Sequence, residues 1–324
     1  MLKGKRVFLI LTVIILATIL LPTVSHLQNG ADSVPNRVRI SSESSPHLEV
    51  GRAASIRAAA ETLSQIRVVS YNIRWRGGDD LRRLIELFKL DPEIGNATIL
   101  GLQEVDRNKR RTGNINTVKQ IAEELGMYYA WTSPPPVNPG REEETGVAVL
   151  SPYPLYDVER IVLPHEGPGR RRRVAIGATV RISDTPIRFY SIHSETRLKI
   201  AKKIEQMKSV LTDLANYPAH MPAIVLGDLN TWEPKAVSKT IELFRSANFT
   251  TPFDNGKSTF KRKILLVGIK LKLYWMWVRG LDSTSHGIDS EIKLSDHWPL
   301  WAVLKLKANK QGDGPASAHG NNPP

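Results

Sequence analysis

Four apolar stretches of this chain each end in polar side chains, and this recurrence limits the possible folds more than any other feature. They are VVSYN at residues 68–72, ILGLQE at 99–104, FYSIH at 189–193 and IVLGDLN at 224–230. A fifth segment, LSDHWP at residues 294–299, carries the same kinds of polar group. Short apolar runs of this length are typical of buried strands. Taken singly, a polar residue that follows such a run is usually a turn residue, but five such segments together predict one site assembled from several strand ends.

The body of the chain mixes helix and strand patterns. Helical spacing of apolar residues predicts helices at about 80–89, 116–125 and 197–217 and from 234 onward. Alternation and β-branched content predict strands at 146–150, 173–182, 187–191, 271–278 and 298–306. Several strands follow one another without a helix between them. We therefore expect an α/β fold of two packed sheets with helices outside, rather than alternating βα units.

The two ends of the chain differ from this body. Residues 1–25 carry Lys3, Lys5 and Arg6 ahead of an uncharged run at 7–24, which predicts a cleaved signal peptide or a membrane anchor. The positive flank predicts that the rest of the chain lies outside the cytoplasm, exported or membrane-anchored. The composition of residues 26–65 predicts a linker and that of 308–324 a disordered tail, which leaves 66–307 as one domain.

The net charge and the absence of cysteine limit the partners and the kinds of catalysis that the chain can have. The net charge of +13 suits either a polyanionic partner, such as nucleic acid or an acidic membrane surface, or a solvated Lys-rich surface. Four consecutive arginines at 170–173 are likewise open to two interpretations, a phosphate-binding loop or a solvated one. The chain has no cysteine, which excludes thiolate nucleophiles, cysteine metal ligands and disulfides.

Some of the polar groups at the strand ends suit a metal ion. Metal-assisted attack on phosphorus needs an activated water, groups that hold the phosphate oxygens, and stabilisation of the leaving oxygen. Asn72, Glu104 and Asp296 are oxygen donors of the kind that Mg²⁺ prefers.

The remaining polar groups suit proton transfer and phosphate contacts. Asp228 can orient or deprotonate water, and Asn230 can hydrogen-bond a phosphate oxygen. His193 and His297 can stabilise the phosphate charge or transfer a proton. One such residue alone would favour a turn, a helix cap or a solvated surface, whereas their joint occurrence after apolar runs favours catalysis.

In this order the motifs resemble those of the endonuclease/exonuclease/phosphatase superfamily of metal-dependent phosphohydrolases. The resemblance covers about residues 67–307. It rests on YN at 71–72, QEV at 103–105, GVAVLS at 146–151, IH at 192–193, GDLN at 227–230 and SDH at 295–297. It implies a four-layered α/β sandwich, with two mixed sheets face to face and helices on both outsides, in agreement with the pattern of strands and helices.

The resemblance also implies roles for individual residues. It implies a Mg²⁺ site, with Mn²⁺ as a substitute, in which Glu104 is the principal ligand, assisted by Asn72 and Asp296. It implies Asp228 as the residue that positions or activates water. It implies a set of phosphate-facing residues: His193, Asn230 and His297.

One position departs from the family pattern. In relatives, a strand ahead of the Ser-Asp-His motif carries an Asp that orients its histidine, and Tyr274 stands at that position here. Losing such a carboxylate from a comparable catalytic triad costs about 10⁴ in turnover. Asp282 or Asp289 could substitute for it, or Tyr274 could itself hydrogen-bond His297. Because every other motif position is in place, we expect activity to be retained.

These features predict an exported or membrane-tethered, Mg²⁺-dependent phosphoester hydrolase of the phosphodiesterase or nuclease type. Its substrate would be either nucleic acid in a positive groove or a phospholipid or phosphosugar head group. The alternative is a binding module that holds an anionic ligand without turnover, which Tyr274 permits. Trp275 and Trp277 beside Tyr274 are interpreted as core residues in preference to a contact with lipid or bases.

Overall fold

The strands of this chain form two mixed sheets. The structure, a computed structural model, describes residues 46–59, 63–138, 144–253, 259–264, 267–271 and 273–306. The helices are α1 (Gly78–Leu90), α2 (Thr117–Leu125), α3 (Ile200–Leu214) and α4 (Pro234–Ser246). The strands are β1 (Leu48–Arg52), β2 (Ile66–Asn72), β3 (Ile99–Arg107), β4 (Tyr128–Thr132), β5 (Glu144–Ser151), β6 (Tyr156–Val162), β7 (Val174–Ile182), β8 (Thr185–His193), β9 (Ala223–Asp228), β10 (Phe260–Ile264), β11 (Val267–Leu271), β12 (Tyr274–Arg279), β13 (Leu281–Ile288) and β14 (Leu300–Leu306).

Each large sheet contains one parallel pair of strands. The first sheet has the order β1-β4-β5-β3-β2-β14-β13 and the second the order β12-β9-β8-β7-β6, while β10 and β11 pair separately. In the first sheet β2 and β3 are parallel, and in the second β8 and β9 are parallel. The other paired strands are antiparallel.

Successive side chains of the central strands enter different cores. In β2, Val68 packs between the two sheets, whereas Val69 packs against α1 and α2. In β9, Leu226 packs between the sheets, whereas Val225 packs with α3 and α4. A strand buried on both faces must be apolar at nearly every position, which explains the continuous apolar runs. The layers are helices, sheet, sheet, helices, so the predicted four-layered sandwich is confirmed.

The aromatic segment of β12 belongs to these cores. Trp275 and Trp277 stack with ring centroids 5.1 Å apart, and Phe244 of α4 stacks on Trp277 at 4.8 Å. Tyr274 and Met276 alternate with them and pack between the sheets. The interpretation of this segment as core is confirmed.

Part of the segment predicted as a linker is a strand, β1, so the prediction is wrong there. Residues 48–52 lie within the segment 26–65, but they pair in antiparallel register with β4. Glu49 fixes the strand, because its carboxylate accepts hydrogen bonds from Asn116 Nδ2 at 2.8 Å and Tyr129 Oη at 2.7 Å. These partners are remote in sequence, so the local composition does not reveal the strand.

Two other predicted boundaries also change. The predicted strand 271–278 is two strands, since β11 ends by pairing with β10 and β12 begins by pairing with β9. The predicted helix 197–217 is shorter, because α3 runs only from Ile200 to Leu214. The predicted signal or anchor at 1–25 and the tail at 308–324 lie outside the described residues. Among the described residues, no helix is both long and apolar enough to cross a membrane.

Candidate active site

Strand direction brings three predicted site segments to one edge of the first sheet. Asn72 at the end of β2 lies in register with Gln103 of the parallel strand β3, one residue before Glu104. Because β14 runs antiparallel to β2, the loop that precedes β14, with Asp296 and His297, reaches the same edge. The Ser-Asp-His motif therefore comes before its strand, whereas the other polar groups come at or near the ends of theirs.

A β-bulge sets the direction of Glu104. The register between β3 and β5 shifts between Gln103 and Val105, and Glu104 has a φ of +56°. Asn72 Nδ2 donates to Glu104 Oε1 at 3.1 Å, and Asn72 Oδ1 accepts the backbone N–H of Arg74 at 3.0 Å. Burial raises the pKa of Glu104, although the hydrogen bond from Asn72 acts in the opposite direction. A cation beside this carboxylate would oppose the rise.

In the second sheet, the ends of β8 and β9 place His193 beside Asp228. The two residues are register partners, and His193 Nε2 lies 3.7 Å from Asp228 Oδ2. Burial raises the pKa of Asp228 to about 8, and the charge of Glu104 adds to the rise. Burial lowers the pKa of His193 well below its usual value, with Arg173 and His297 lowering it further. His193 is therefore a neutral imidazole near neutral pH.

Hydrogen bonds between the sheets fix the separation of the two edges that carry the candidate site residues. Gln103 Nε2 of β3 donates to Ser191 Oγ of β8 at 2.9 Å, and Ser191 Oγ donates to the Leu102 carbonyl at 3.1 Å. Asn72 of the first sheet also acts on Asp228 in the opposite sheet, since it lowers the pKa of that carboxyl group against the effect of burial. These contacts lie one or two residues from Glu104 and His193 along the strands, so they hold the two halves of the site together.

Asn230 is held by three hydrogen bonds. Its backbone N–H donates to Asp228 Oδ1 at 3.1 Å, and its side-chain Nδ2 donates to the Ser194 carbonyl at 2.9 Å. Its own carbonyl accepts a hydrogen bond from Lys203 Nζ at 2.7 Å. The φ of Asn230 is +52°, a left-handed conformation that Asn adopts more readily than most residues. Asn230 therefore orients Asp228 through its backbone, while its side-chain Nδ2 is engaged by the Ser194 carbonyl.

The Ser-Asp-His loop adds a second buried histidine. His297 Nε2 lies 3.7 Å from Asp296 Oδ1, and Arg74 Nη1 lies 3.1 Å from Asp296 Oδ2. Burial lowers the pKa of His297 to about 4, a shift that Asp296 opposes and Arg74 increases. Sequence reasoning missed Arg74. The available signal was its position two residues after Asn72.

Tyr274 occupies the position at which the family pattern has an Asp. At the start of β12 it is the register partner of Asp228, and it is fully buried. Its ring meets the His297 ring edge-on, with centroids 4.9 Å apart and planes at 60°. The hydroxyl has no hydrogen-bond partner among the described residues. The hydrogen bond from Tyr274 to His297 that the sequence allowed is therefore absent, and the contact is made by the ring.

The two candidate replacement carboxylates are used elsewhere. Asp289 Oδ1 accepts the backbone N–H groups of Glu291 at 2.9 Å and Ile292 at 3.3 Å, which closes a turn. Asp282 pairs in register with Lys305, near the end of β13 that is remote from the site.

Arg173 is a second basic residue of the site. Its Nε lies 2.9 Å from a carboxylate oxygen of Glu195. Its charge also acts on Glu104, Asp228 and His193, since it lowers the pKa of all three. The sequence singled out the run 170–173 but did not show which arginine faces the site.

The oxygen donors of the site are compatible with Mg²⁺. No three His, Cys, Asp or Glu side chains of the described residues are grouped so that they could hold a metal ion. Mg²⁺, however, usually takes only one or two protein carboxylates, with waters completing its octahedron. Glu104, Asn72 and Asp296 offer two carboxylates and an amide. Burial of Glu104 at a raised pKa makes a neighbouring cation electrostatically favourable.

Comparisons with known proteins agree with this architecture. A family model described as "Endonuclease/Exonuclease/phosphatase family" matches residues 69–297. The fold is similar to that of an endonuclease/exonuclease/phosphatase from Beutenbergia cavernae DSM 12333, with a TM-score of 0.59 and 17% identity over 75% of this chain and 72% of that one. It is similar to a family protein from Leptotrichia buccalis C-1013-b, with a TM-score of 0.59 and 17% identity over 74% of this chain and 100% of that one. It is also similar to the human Nocturnin catalytic domain with bound sulfate anion, with a TM-score of 0.60 and 20% identity over 75% and 94%. No curated protein matches the chain.

Proposed function

The chain belongs to the endonuclease/exonuclease/phosphatase family, and we propose that it is a Mg²⁺-dependent hydrolase of phosphoester bonds, of the phosphodiesterase type. One observation carries the proposal. Glu104 and Asn72 of the first sheet meet His193 and Asp228 of the second at one buried edge. Burial raises the pKa values of Glu104 and Asp228 and lowers that of His193. Such displacement in a group of converging side chains is typical of catalytic sites.

Glu104, Asn72 and Asp296 are the residues that would hold the cation. Bound there, Mg²⁺ would polarise a phosphate oxygen and offset the charge that develops on the phosphoryl group. Arg74 and Arg173 add fixed positive charge beside the carboxylates, which favours an anionic substrate.

Asp228 is suited to orient the attacking water and, once ionised, to accept its proton; a cation bound beside Glu104 would favour the ionised form against the pKa of about 8 that burial gives it. Arg173, Asn72 and the hydrogen bond from the Asn230 backbone favour its ionised form, against the effect of burial. The imidazole of His193, 3.7 Å away, is neutral and can hydrogen-bond the water or the phosphate. Asp228 and His193 thus form an acid–base pair on the side of the site opposite Glu104.

His297 is suited to donate a hydrogen bond to the phosphate or the leaving oxygen. With a pKa of about 4 it is a neutral imidazole near neutral pH, so it contributes an N–H rather than a full positive charge. Its ring is positioned by the edge contact with Tyr274 and by the loop that carries Asp296.

Hydrolysis of bis-p-nitrophenyl phosphate by the full chain tests the proposal. We expect turnover with Mg²⁺ or Mn²⁺ that EDTA abolishes, and a fall of about 10² or more in Glu104→Ala and in His297→Ala. Glu242→Ala and His220→Ala remove the same side chains from exposed positions and serve as controls. Turnover that needs no metal, or full activity in Glu104→Ala, would contradict the proposal.

A second candidate function is the binding of an anionic ligand without turnover. Tyr274 favours it, because this position offers His297 an aromatic ring in place of a carboxylate. A folded chain that binds Mg²⁺ in calorimetry, but releases no product from a panel of phosphomonoesters and phosphodiesters, would support this function over hydrolysis.

The location of the protein is a proposal from sequence. The basic residues at 3–6 and the apolar run at 7–24 support export or membrane tethering, with the site outside the cytoplasm. Fractionation of cells that express the full chain, with protease added to intact cells, tests it. Recovery of the intact chain in the soluble cytoplasmic fraction would count against it.

A further inference from the structure

A cleft of about 560 Å³ adjoins the proposed catalytic groups, since Glu104 and His193 form part of its lining. Part of the remaining lining is apolar and comes from the loop at 134–137. The basic part comprises Lys109, Arg111, Arg171, Arg172 and Arg173. We call this space the arginine cleft. Its volume is in the range of small-molecule sites.

Backbone hydrogen bonds fix the conformation of the loop that carries the four arginines at 170–173. The carbonyl of Arg171 accepts the backbone N–H of Gly167 at 2.8 Å, and the carbonyl of Arg173 accepts that of Leu163 at 2.8 Å. Arg170 has a φ of +59°, a highly exposed side chain and no place in the cleft lining. The two interpretations of the run therefore apply to different residues: Arg170 is solvated, whereas the next three line the cleft.

The basic side chains of the cleft differ in how far they are already neutralised. Arg111 and Arg173 each pair with a carboxylate, at 2.6 and 2.9 Å. Arg171 and Arg172 form no ion pair among the described residues. Arg172 donates through Nε to a backbone carbonyl at 2.9 Å. Glu144, a second carboxylate of the lining, pairs with an arginine outside it. Of the arginines that line the cleft, Arg171 and Arg172 thus carry the positive charge that is left for a ligand.

Among the described residues, the surface near the cleft offers no broad exposed patch of large hydrophobic side chains for an acyl chain. Among the described residues, the large hydrophobic side chains that are exposed are Val50, Leu90 and Val137, and of these Val137 alone lines the cleft. A site for lipid chains would need a contiguous apolar patch. The ligand that complements the cleft is therefore an anion that also carries a flat or apolar part, which the loop at 134–137 can contact.

Building on the proposed hydrolysis, we propose that Arg171 and Arg172 bind a second phosphate group of the substrate, one that is not cleaved. The reacting phosphate lies at Glu104 and His193, and the group that joins the two phosphates lies along the cleft. Guanidinium groups match phosphate oxygens through paired N–H donors. Two kinds of molecule carry phosphates in this arrangement, a nucleotide chain and a polyphosphorylated polyol.

Paired substrates test the site by kinetics. One is the 5′-(p-nitrophenyl phosphate) of thymidine, and the other is the same ester with an added 3′-phosphate. We expect the added phosphate to raise kcat/KM of the full chain about tenfold, equivalent to about 1.4 kcal/mol. In Arg171→Gln/Arg172→Gln the ratio of the two kcat/KM values should fall to about one. Arg170→Gln/Arg181→Gln, which changes two exposed arginines that do not line the cleft, should keep the wild-type ratio.

Binding in EDTA separates this site from the hydrolytic function. Calorimetry would compare thymidine 3′,5′-bisphosphate with thymidine 5′-monophosphate, and inositol 1,4-bisphosphate with inositol 1-phosphate. If the second phosphate raises the binding affinity, and if Arg171→Gln/Arg172→Gln loses this increase, the result supports the site. It does so even if no ester is hydrolysed and the proposed function fails. The pair that shows the gain identifies nucleotide or polyol as the source. No gain in either pair overturns the site, whether or not the chain turns over esters.

Discussion

Gly227 is where the backbone fixes the position of Asp228, and its replacement by alanine tests how the site is built. Its φ is +136°, which side chains with a Cβ rarely adopt. It lies in β9 between its register partners Ile192 of β8 and Trp275 of β12. We predict that Gly227→Ala destabilises the fold strongly, because the strain falls on the central strands of the second sheet.

The expected loss follows from the contacts of an added Cβ. That atom would lie 2.1 Å from the carbonyl oxygen of Ile192 and 3.0 Å from two further backbone atoms of the same residue. Rotation of a side chain cannot relieve a contact with backbone, so β9 must move away from β8. Strain in this region of φ alone costs about 1–3 kcal/mol. With the displaced strand added, we expect a loss of about 3 kcal/mol or more in the free energy of unfolding.

Urea unfolding followed by tryptophan fluorescence measures this loss. Gly169→Ala is the matched control, because Gly169 also has a positive φ, of +69°, but an added Cβ there meets no atom within 4 Å. The control should lose only about 1 kcal/mol. For a domain of this size, 3 kcal/mol corresponds to a fall in Tm of roughly 6–12 °C. Equal losses in the two variants would show that the contact with Ile192 does not determine the cost.

Three further predictions concern buried polar groups. Tyr274→Phe should raise the free energy of unfolding by about 1 kcal/mol, because the buried hydroxyl has no hydrogen-bond partner among the described residues. A fall in Tm would contradict this, since it would show that the hydroxyl does have a hydrogen-bond partner. In EDTA, the raised pKa of Asp228 makes stability decline with pH above about 6.5, whereas between about pH 4 and 6.5 the lowered pKa values of His193 and His297 act in the opposite direction. Between pH 6.5 and 8 the decline should average about 1 kcal/mol per unit, below the limit of about 1.4 for a single group, and Asp228→Asn should remove it in urea titrations. Arg188→Met should lower the free energy of unfolding by about 3 kcal/mol in the same assay, because it breaks the ion pair between buried Arg188 and Asp213 at 2.8 Å. A loss below about 1 kcal/mol would refute this.

The sequence predicted the strands of the site because their signal is local. Residues such as Val68 and Val69 are both buried, one toward each core, so the strand appears as an unbroken apolar run that ends where it leaves the core. The polar residue at that point is then visible as an exception. The same reasoning located Asn72, His193 and Asp228, and the structure brings the three together.

Other features could not be read from the sequence, because they depend on distant partners. Strand β1 exists through its pairing with β4 and the hydrogen bonds of Glu49. The bulge at Glu104 arises from the way β3 and β5 align. The difference between Arg170 and Arg171 is set by the path of a loop, since all four arginines have the same local composition.

The topology explains why the proposed catalytic groups and the proposed ligand-binding arginines come from different parts of the fold. Each sheet has one parallel pair, β2 with β3 and β8 with β9, and only a parallel pair places two neighbouring carboxyl ends at the same edge. Face-to-face packing brings both pairs together, so the catalytic groups sit at or near the ends of buried strands. The arginine cleft, by contrast, is formed largely by the loops at 133–138 and 169–173, which precede the antiparallel strands β5 and β7. These loops can change without disturbing the core. Substrate preference can therefore vary while Glu104, His193 and Asp228 stay in place.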